Sequence, residues 1–522
     1  MYNQGLFAGW VPKPVQQFLI LTLAVFSFSL TGVNTGNIPF MNSSMGTMAE
    51  YFTMASYAST IGMGAVMPLL LRFKARFKVR NKLTLIFVGI AVLSFISGTI
   101  DQPEIIIATA FIIGALKIFI LIELLGPLMI MLSPDGHRGK FYSILYPIAL
   151  GSGQLVNYLA TDISHLYNWE FFYILISAAA LIMAMLCWIF LHNQYFSFKL
   201  PLYYIDWVSV LLFSSAFMFS SYVLSFGKQQ DWLNSERITY AVIFALVSFL
   251  LLVHRQTILK RPYMSFKIFK KKNVYSGLVM FLLTGMFMAV SSMQNTYAIT
   301  VLGYDLMTNA KLSLLMIPGM LAAGILGSFW FRNNLEIKLF VLTGFAALLG
   351  YCIILYLSMV AEMNYERWYL PMFLKGYGMT VLYIGIWFYM MDKMDMGEMM
   401  AAIGLALVWR SFLSTAFFGA LFSWLQYRFQ VISIGDMAVY LDGMILNETA
   451  ALQGLKNIQI NAILVSDKKL LGYIIIIGFG SLMYVLQHGF GKEKFISYKR
   501  YLRVIQGRNL IASRRKRLNN ES

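Results

Sequence analysis

Four ionisable side chains stand inside long apolar stretches of this chain: Lys117 and Glu123 share one stretch, Lys375 lies in a second and Arg410 in a third. Placing such a group in hydrocarbon costs about 2.5–3.5 kcal/mol on insertion scales, so each one kept there invites a functional role. A desolvated carboxylate can take up a proton and release it when water or a cation arrives. Glu123 is therefore the first candidate for a proton-coupling site, with Lys117 and Arg410 beside it. The bland alternative is a structural carboxylate bonded to neighbouring helices near a membrane boundary. Lys117 could serve as a fixed positive charge for an anionic substrate or for a carboxylate across the bundle, and its stem also permits snorkelling to an interface. Arg410 serves equally as ligand or as structural clamp, and Lys375 is close enough to a helix end to snorkel outward. Lys117 and Glu123 are separated by about 240° at roughly 100° per residue, so each needs a partner on another helix.

Uncharged amides line a polar path at lower cost. Asn34, Asn37, Gln154, Asn157, Gln294 and Asn295, together with Lys375, are the candidate substrate-cavity residues. Gln154 and Asn157 share one helical face. Buried amides of this kind also simply join neighbouring helices, each bond being worth about 1 kcal/mol. The abundant Met, Phe and Tyr suit a pliable site for apolar or aromatic compounds, although most such residues face lipid or pack between helices.

The elements that must position these residues follow from composition. Of 522 residues, 59% are hydrophobic and 12% charged, and the mean hydropathy is +0.68. That much apolar surface needs lipid as its solvent. A crossing helix takes roughly 20 apolar residues, and the runs are too long and continuous for a β-barrel. Fourteen spans are expected, at roughly 16–36, 50–71, 83–100, 105–132, 141–161, 169–191, 206–227, 238–254, 275–298, 310–331, 338–360, 369–391, 399–425 and 470–488. The first run has almost no basic residue before it beyond Lys13, so it reads as a helix and not as a signal peptide.

Charge sets the orientation. Arg72, Lys74, Arg76, Lys78, Arg80 and Lys82 crowd one link without an acidic residue, and basic clusters recur at 255–272 and 514–517. With an even number of spans, all three clusters fall on one side, which the positive-inside rule makes cytoplasmic together with both termini. The same distribution accounts for the formal charge of +18 without a nucleic-acid partner. The expected fold is all-α and polytopic: an N-terminal six-helix bundle over 1–200, two linker helices over 201–260, a C-terminal six-helix bundle over 261–491 with a long outward loop at about 426–469, and a basic tail over 492–522. Amphipathic helices at the membrane surface and an ordinary ordered loop suit that outward segment about equally.

Nothing points to a cofactor or metal. Cys187 and Cys352 lie inside apolar runs, the five histidines are scattered without ligand spacing, and no phosphate-binding P-loop sequence is present. A membrane-embedded acyl or glycosyl transferase would need a clustered constellation at one interface, so the chain reads as a non-enzyme.

Two pairs of links hint at an internal repeat eight helices apart. LRFKARFKVRNKL after helix two has a thinner counterpart in FRNNLEIKL after helix ten, and SPDGHRGKFYSI after helix four in MDKMDMGEMMAAI after helix twelve. Further segments carry a family likeness: IDWVSVLL at 205–212, GKQQDWLNSERI at 227–238, RPYMSFKIFKKKNVYSG at 261–277, VLGYDLMTNAKLSLLMIPGML at 301–321, and GLALVWRSFLSTAFFGALF with Arg410 and Gly419. In these the chain resembles the fourteen-helix drug:proton antiporter family of the major facilitator superfamily, as a divergent member. It departs from that family at Leu30, Ala75, Lys78 and Ala110, where the family carries its coupling and gating residues, and keeps only Gly153 of the helix-five signature. The resemblance implies two six-helix bundles plus two central helices and alternating access. It further implies export of small amphipathic or hydrophobic compounds driven by a proton gradient from the bacterial inner membrane. The partners it implies are the bilayer, a small-molecule substrate, and a periplasmic adaptor with an outer-membrane channel. The alternatives on the same sequence are an importer or facilitator of a metabolite, peptide or siderophore, and a scaffold or receptor that transports nothing.

Overall fold

Lipid offers no hydrogen bonds to a peptide group, so a chain of this hydropathy must satisfy its backbone within each crossing, and helices do that. A computed structural model describes residues 6–195, 205–259, 262–264, 266–392, 394–439 and 448–490. The long helices are α1 (Lys13–Ser29), α2 (Ala49–Arg76), α3 (Val79–Thr99), α4 (Pro103–Leu132), α5 (Arg138–Leu166), α6 (Trp169–Phe190) and α7 (Trp207–Phe226). They continue as α8 (Glu236–Ile258), α9 (Lys272–Val301), α10 (Leu306–Arg332), α11 (Ile337–Ser358), α12 (Tyr369–Met390), α13 (Gly397–Ala438) and α14 (Glu448–Gln487). Among the described residues, 11 helices are long and apolar enough to cross a membrane. The chain is a multi-pass membrane protein. The other three expected spans coincide with α1, α5 and α12, which are helical but shorter or more polar.

The links after even-numbered helices meet at one end of the bundle. Val79 N–H donates to the Gln194 carbonyl, Arg138 Nη1 donates to the Met391 carbonyl, and Lys271 Nζ pairs with Glu398 Oε2 at 2.5 Å. His137 stacks beside Phe331 and Phe388 at the same end. The opposite end joins Gln229 to Glu50 and Tyr304 to the Met363 carbonyl. Successive helices therefore run antiparallel.

The apolar core forms two main clusters. One draws its buried members from Leu6 to Leu191, on α1–α6 and the chain next to them. The other draws chiefly on Val274 to Phe490, with Ile61 and Ala65 of α2 and single residues of α7 and α8. Helices α7 and α8 pack on each other and leave most of their surface outward. They are pinned at one end by Asp206, which caps α7 by accepting from Ser209 N–H and receives a bifurcated contact from Arg255, at 2.9 Å to Nη2. The expected start of helix seven at Asp206 and Trp207 stands.

Two sequence expectations are corrected here. The first span is broken: after Ser29 the chain turns and resumes as short helices at Val33–Gly36 and Ile38–Met45, the latter opening with Pro39 near its first turn. Of the two readings of the outward segment at about 426–469, surface helices or an ordered loop, the loop is the one corrected: the segment is helical over most of its described length. α13 runs on to Ala438 and α14 starts at Glu448, because this stretch is rich in good helix formers and its polar groups find partners in the hairpin, Gln426 Nε2 donating to buried Asp467 Oδ1 at 2.7 Å. Residues 440–447, between the two helices, and the basic tail from 491 lie outside the described residues.

Close helix contacts fall at glycines in a repeated pattern. Cβ atoms on Gly62 of α2 and Gly114 of α4 would meet the carbonyl oxygens of Phe111 and Ser59 on the opposite helix; Gly319 of α10 and Gly376 of α12 stand in the same relation to Phe373 and Met316. The second pair lies eight helices after the first. Gly114→Ala and Gly376→Ala are each expected to lower stability by about 1–3 kcal/mol through overpacking. Gly126→Ala, which meets nothing within 4 Å, should leave the thermal unfolding midpoint in mild detergent unchanged or slightly raised.

Candidate functional site

The buried charges resolve into three settings with different partners. Glu123, 1% exposed, pairs with Lys82 of α3 at 2.5 Å and lies 3.9 Å from Lys74 of α2. Lys74 also donates to the Ile122 carbonyl at 3.4 Å. The partner comes from other helices, as the 240° separation from Lys117 requires, and the pairing clamps the basic ends of α2, α3 and α4 together. Lys82 looks in sequence like one more residue of a solvated basic link; its position one turn into α3 turns it inward.

Lys375 of α12 is 4% exposed and does not snorkel. Its Nζ donates to Gln294 Oε1 of α9 at 2.9 Å, the Tyr351 hydroxyl of α11 donates to the same oxygen at 2.9 Å, and the ammonium lies 5.2 Å from the Tyr351 ring centroid. One amide oxygen thus joins three helices. Asn295, the next residue, is exposed.

The third setting has no carboxylate. Lys117 stands at the midpoint of α4, 2% exposed, and its ammonium has no hydrogen-bond partner among the described residues. Arg410 of α13 is close enough for the two positive charges to act on each other. It sits in a π-helical turn, Trp409–Ser414, of the kind often found at functional positions. Its guanidinium lies 4.3 Å from the Tyr383 ring centroid of α12 and donates only to the hydroxyl of the next residue, Ser411, at 3.1 and 3.2 Å. Among the described residues neither cation forms an ion pair. Lys117 lies about 9 Å along α4 from Glu123, and Arg410 about 20 Å along α13 from its basic end. Tyr146 of α5 faces Tyr383 at 6.2 Å, while Tyr142, Phe281 and Trp387 extend the aromatic wall.

The amides divide. Asn157 lies where α5 meets both bundles: its Oδ1 accepts from Thr35 at 2.8 Å, and its Nδ2 reaches Ser313 Oγ of α10 at 3.4 Å. Gln154 is half-buried on the same helix face. Asn37 is fully buried, away from this junction, and accepts from Ser164 at 2.7 Å; it joins helices instead of lining a path, because the break after α1 turns it inward. The Asn34 side chain lies outside the described residues. Cys187 and Cys352 are free and buried. Sequence reasoning missed Lys82, Tyr146, Tyr351, Tyr383 and Asp467. Asp467 went unnoticed because it lay in the expected loop.

Contacts between α1–α6 and α9–α14 form at two further glycine pairings. Gly64 of α2 and Gly404 of α13 face each other, a Cβ on either coming within 3.1 Å of the other's carbonyl oxygen, and Gly324 and Gly327 of α10 pack on Ser143 and Pro147 of α5. Cation, aromatic wall and junction amide thus all lie where these two sets of helices meet.

No protein-family profile matches the chain, and no curated protein matches it in sequence. Among solved structures it is similar to a mutant form of the nucleoside transporter NupG, at 13% identity and a TM-score of 0.52, over 90% of this chain and 100% of that one. At this identity the likeness shows the fold alone. The chain shares the fold of that transporter, a major facilitator-like architecture, and membership of the drug:proton antiporter family does not follow from it.

Buried Lys82 depends on its counter-charge. Glu123→Gln is expected to cost about 3–5 kcal/mol of stability by leaving that ammonium uncompensated. Combining Glu123→Gln with Lys82→Met should recover most of the loss in the same unfolding assay, and additive losses would show the pair to be uncoupled.

Proposed function

We propose that this protein is a secondary transporter for organic anions with an aromatic or apolar body, working by alternating access between α1–α6 and α9–α14. The observation that carries the reading is the pair of cations, buried Lys117 and half-buried Arg410, contributed by the two sets of helices and lacking a carboxylate partner among the described residues. An uncompensated buried charge is costly, and a ligand anion supplies the missing compensation. The rings of Tyr146, Tyr383 and Trp387 offer the remaining contact. The transporter-type fold supports a non-enzymatic role.

Fourteen spans with cytoplasmic termini in a bacterial inner membrane belong to the same proposal, supported by the basic links on one end. So does the six-plus-two-plus-six helix division, supported by the two apolar clusters. An interior-negative potential drives an anion outward by about 2.3 kcal/mol per charge per 100 mV, so an uncoupled carrier of this kind exports. Uptake of an anionic metabolite needs a co-transported proton. Glu123, held by Lys82, is the available carboxylate in α1–α6 but must leave its partner to exchange one. A periplasmic adaptor and outer-membrane channel remain proposed partners, and the projecting α13–α14 hairpin offers them a surface.

In proteoliposomes with imposed potassium-diffusion potentials, flux of aromatic carboxylates and sulfonates should exceed that of matched cations and follow the potential. Lys117→Gln and Arg410→Gln should each weaken apparent substrate affinity about 10- to 100-fold, the loss of one charge-assisted contact. Equal flux of cations, or unchanged affinity in both variants, would sink the anion reading. For topology, an impermeant maleimide on whole cells should label Asn234→Cys and spare Asp135→Cys; the reverse pattern would invert the orientation.

A further inference from the structure

A cavity of about 550 Å³ opens at the basic end of the bundle, bounded by the α2–α3 link, the first turns of α3 and the facing side of α4, and neither Lys117 nor Arg410 lines it. Its walls are of two kinds. Arg76, Lys78 and Lys82 line it on one side, and Leu85, Leu116 and Phe119 on the other. Lys82 is already balanced by Glu123 at 2.5 Å, whereas Arg76 is exposed and no acidic residue occurs anywhere in the link. Lys78 rests over the Tyr195 ring at 5.4 Å. Val79 N–H at the start of α3 is taken by the Gln194 carbonyl, and the dipole of this 21-residue helix adds positive potential on this side. Leu85 is 73% exposed and Phe77 44% exposed. In this position such residues meet acyl chains.

An electropositive rim above an apolar wall, at the level where headgroups meet hydrocarbon, matches one class of ligand. We infer that this cavity binds an anionic phospholipid of the membrane leaflet at the basic end. The headgroup phosphate is held by Arg76 and Lys78, and one acyl chain lies along Leu85, Leu116 and Phe119. Clusters of Lys and Arg next to membrane helices attract acidic lipid at about 1 kcal/mol per residue. The counterpart link after α10 carries only Arg332 and Lys338, so the site is single although the fold is repeated. A lipid seated here presses on the Lys82–Glu123 pair and hence on α4, the helix that carries Lys117.

The test uses the full-length protein, stripped of lipid in detergent, titrated with phosphatidylglycerol, phosphatidylcholine of the same chains, and inorganic phosphate, with bound lipid counted by native mass spectrometry. Phosphatidylglycerol should bind at least tenfold more tightly than phosphatidylcholine, and less tightly as salt is raised. Arg76→Gln with Lys78→Gln should erase that preference, while Arg332→Gln with Lys338→Gln, which removes the same charge elsewhere, should keep it. Equal binding of the two lipids by the wild type overturns the proposal without reference to any variant. So does inorganic phosphate competing at the affinity of the lipid, which would make this a soluble-anion site. Loss of preference in both double variants would reduce the effect to net charge and overturn the site as well.

Discussion

Water is absent from the bilayer core, so every charge placed there must find its solvation in the protein. Three different solutions coexist in this chain. Glu123 and Lys82 solve it with opposite charges at 2.5 Å. Lys375 solves it with the dipole of Gln294 and the face of Tyr351. Lys117 has neither, and Arg410 has a ring and one hydroxyl. Replacing a buried ion pair with apolar residues is often neutral or stabilising, and a lone buried cation is costlier still. Stability therefore gives no reason to keep Lys117. Attraction between opposite charges at contact is about 4 kcal/mol at an effective dielectric of 20, which is the size of term a ligand anion would restore.

The glycines show how two sets of helices are held around that gap. Gly62 with Gly114 and Gly319 with Gly376 let helices within each set approach until backbones touch, while Gly64 with Gly404 and Gly324 with Ser143 do the same between sets. Small residues at such crossings are the usual means of association in lipid, where apolar side chains gain nothing by leaving the solvent. Close backbone contact within a set favours rigid bodies. Between sets, α5 packs on α10 and α12 and α2 packs on α13, the junction across which alternating access would rock one body against the other.

Much of the helical order was legible from hydropathy and charge, because a lipid solvent makes each crossing a local decision. Each of the fourteen expected runs overlaps a helix, the first broken after Ser29, and 11 helices among the described residues are long and apolar enough to cross a membrane. What failed was decided by tertiary partners. The α13–α14 hairpin reads as a loop because its polar residues are bonded to one another, Gln426 to Asp467, and hydropathy cannot see such pairs. Lys117, Glu123, Lys375 and Arg410 stood out by their cost. Lys82 did not, since a basic residue beside a basic link is expected to be wet. Asn37 and Asn157 differ by no sequence signal; the break after α1 faces one into a packed interface, and the other lies at the junction of α5 with α10.

The two lysines of α4 and α12 show why a repeated scaffold yields an unsymmetrical site. Measured from the crossing glycines, Lys117 follows Gly114 by three residues and Lys375 precedes Gly376 by one. At roughly 100° per residue these positions differ by about 40° and one helical turn, so they occupy related faces of related helices. Lys375 is absorbed by Gln294 and Tyr351 within its own set. Lys117 instead lies within electrostatic range of Arg410 of the other set, and like charges so placed repel. On the proposed reading an anion between them would convert that repulsion into a bridge and would bind more tightly when the sets are together than when they are apart. Differential affinity of this kind is the only means by which a ligand shifts a conformational equilibrium, and it follows here from the placement of two cations on opposite sides of one junction.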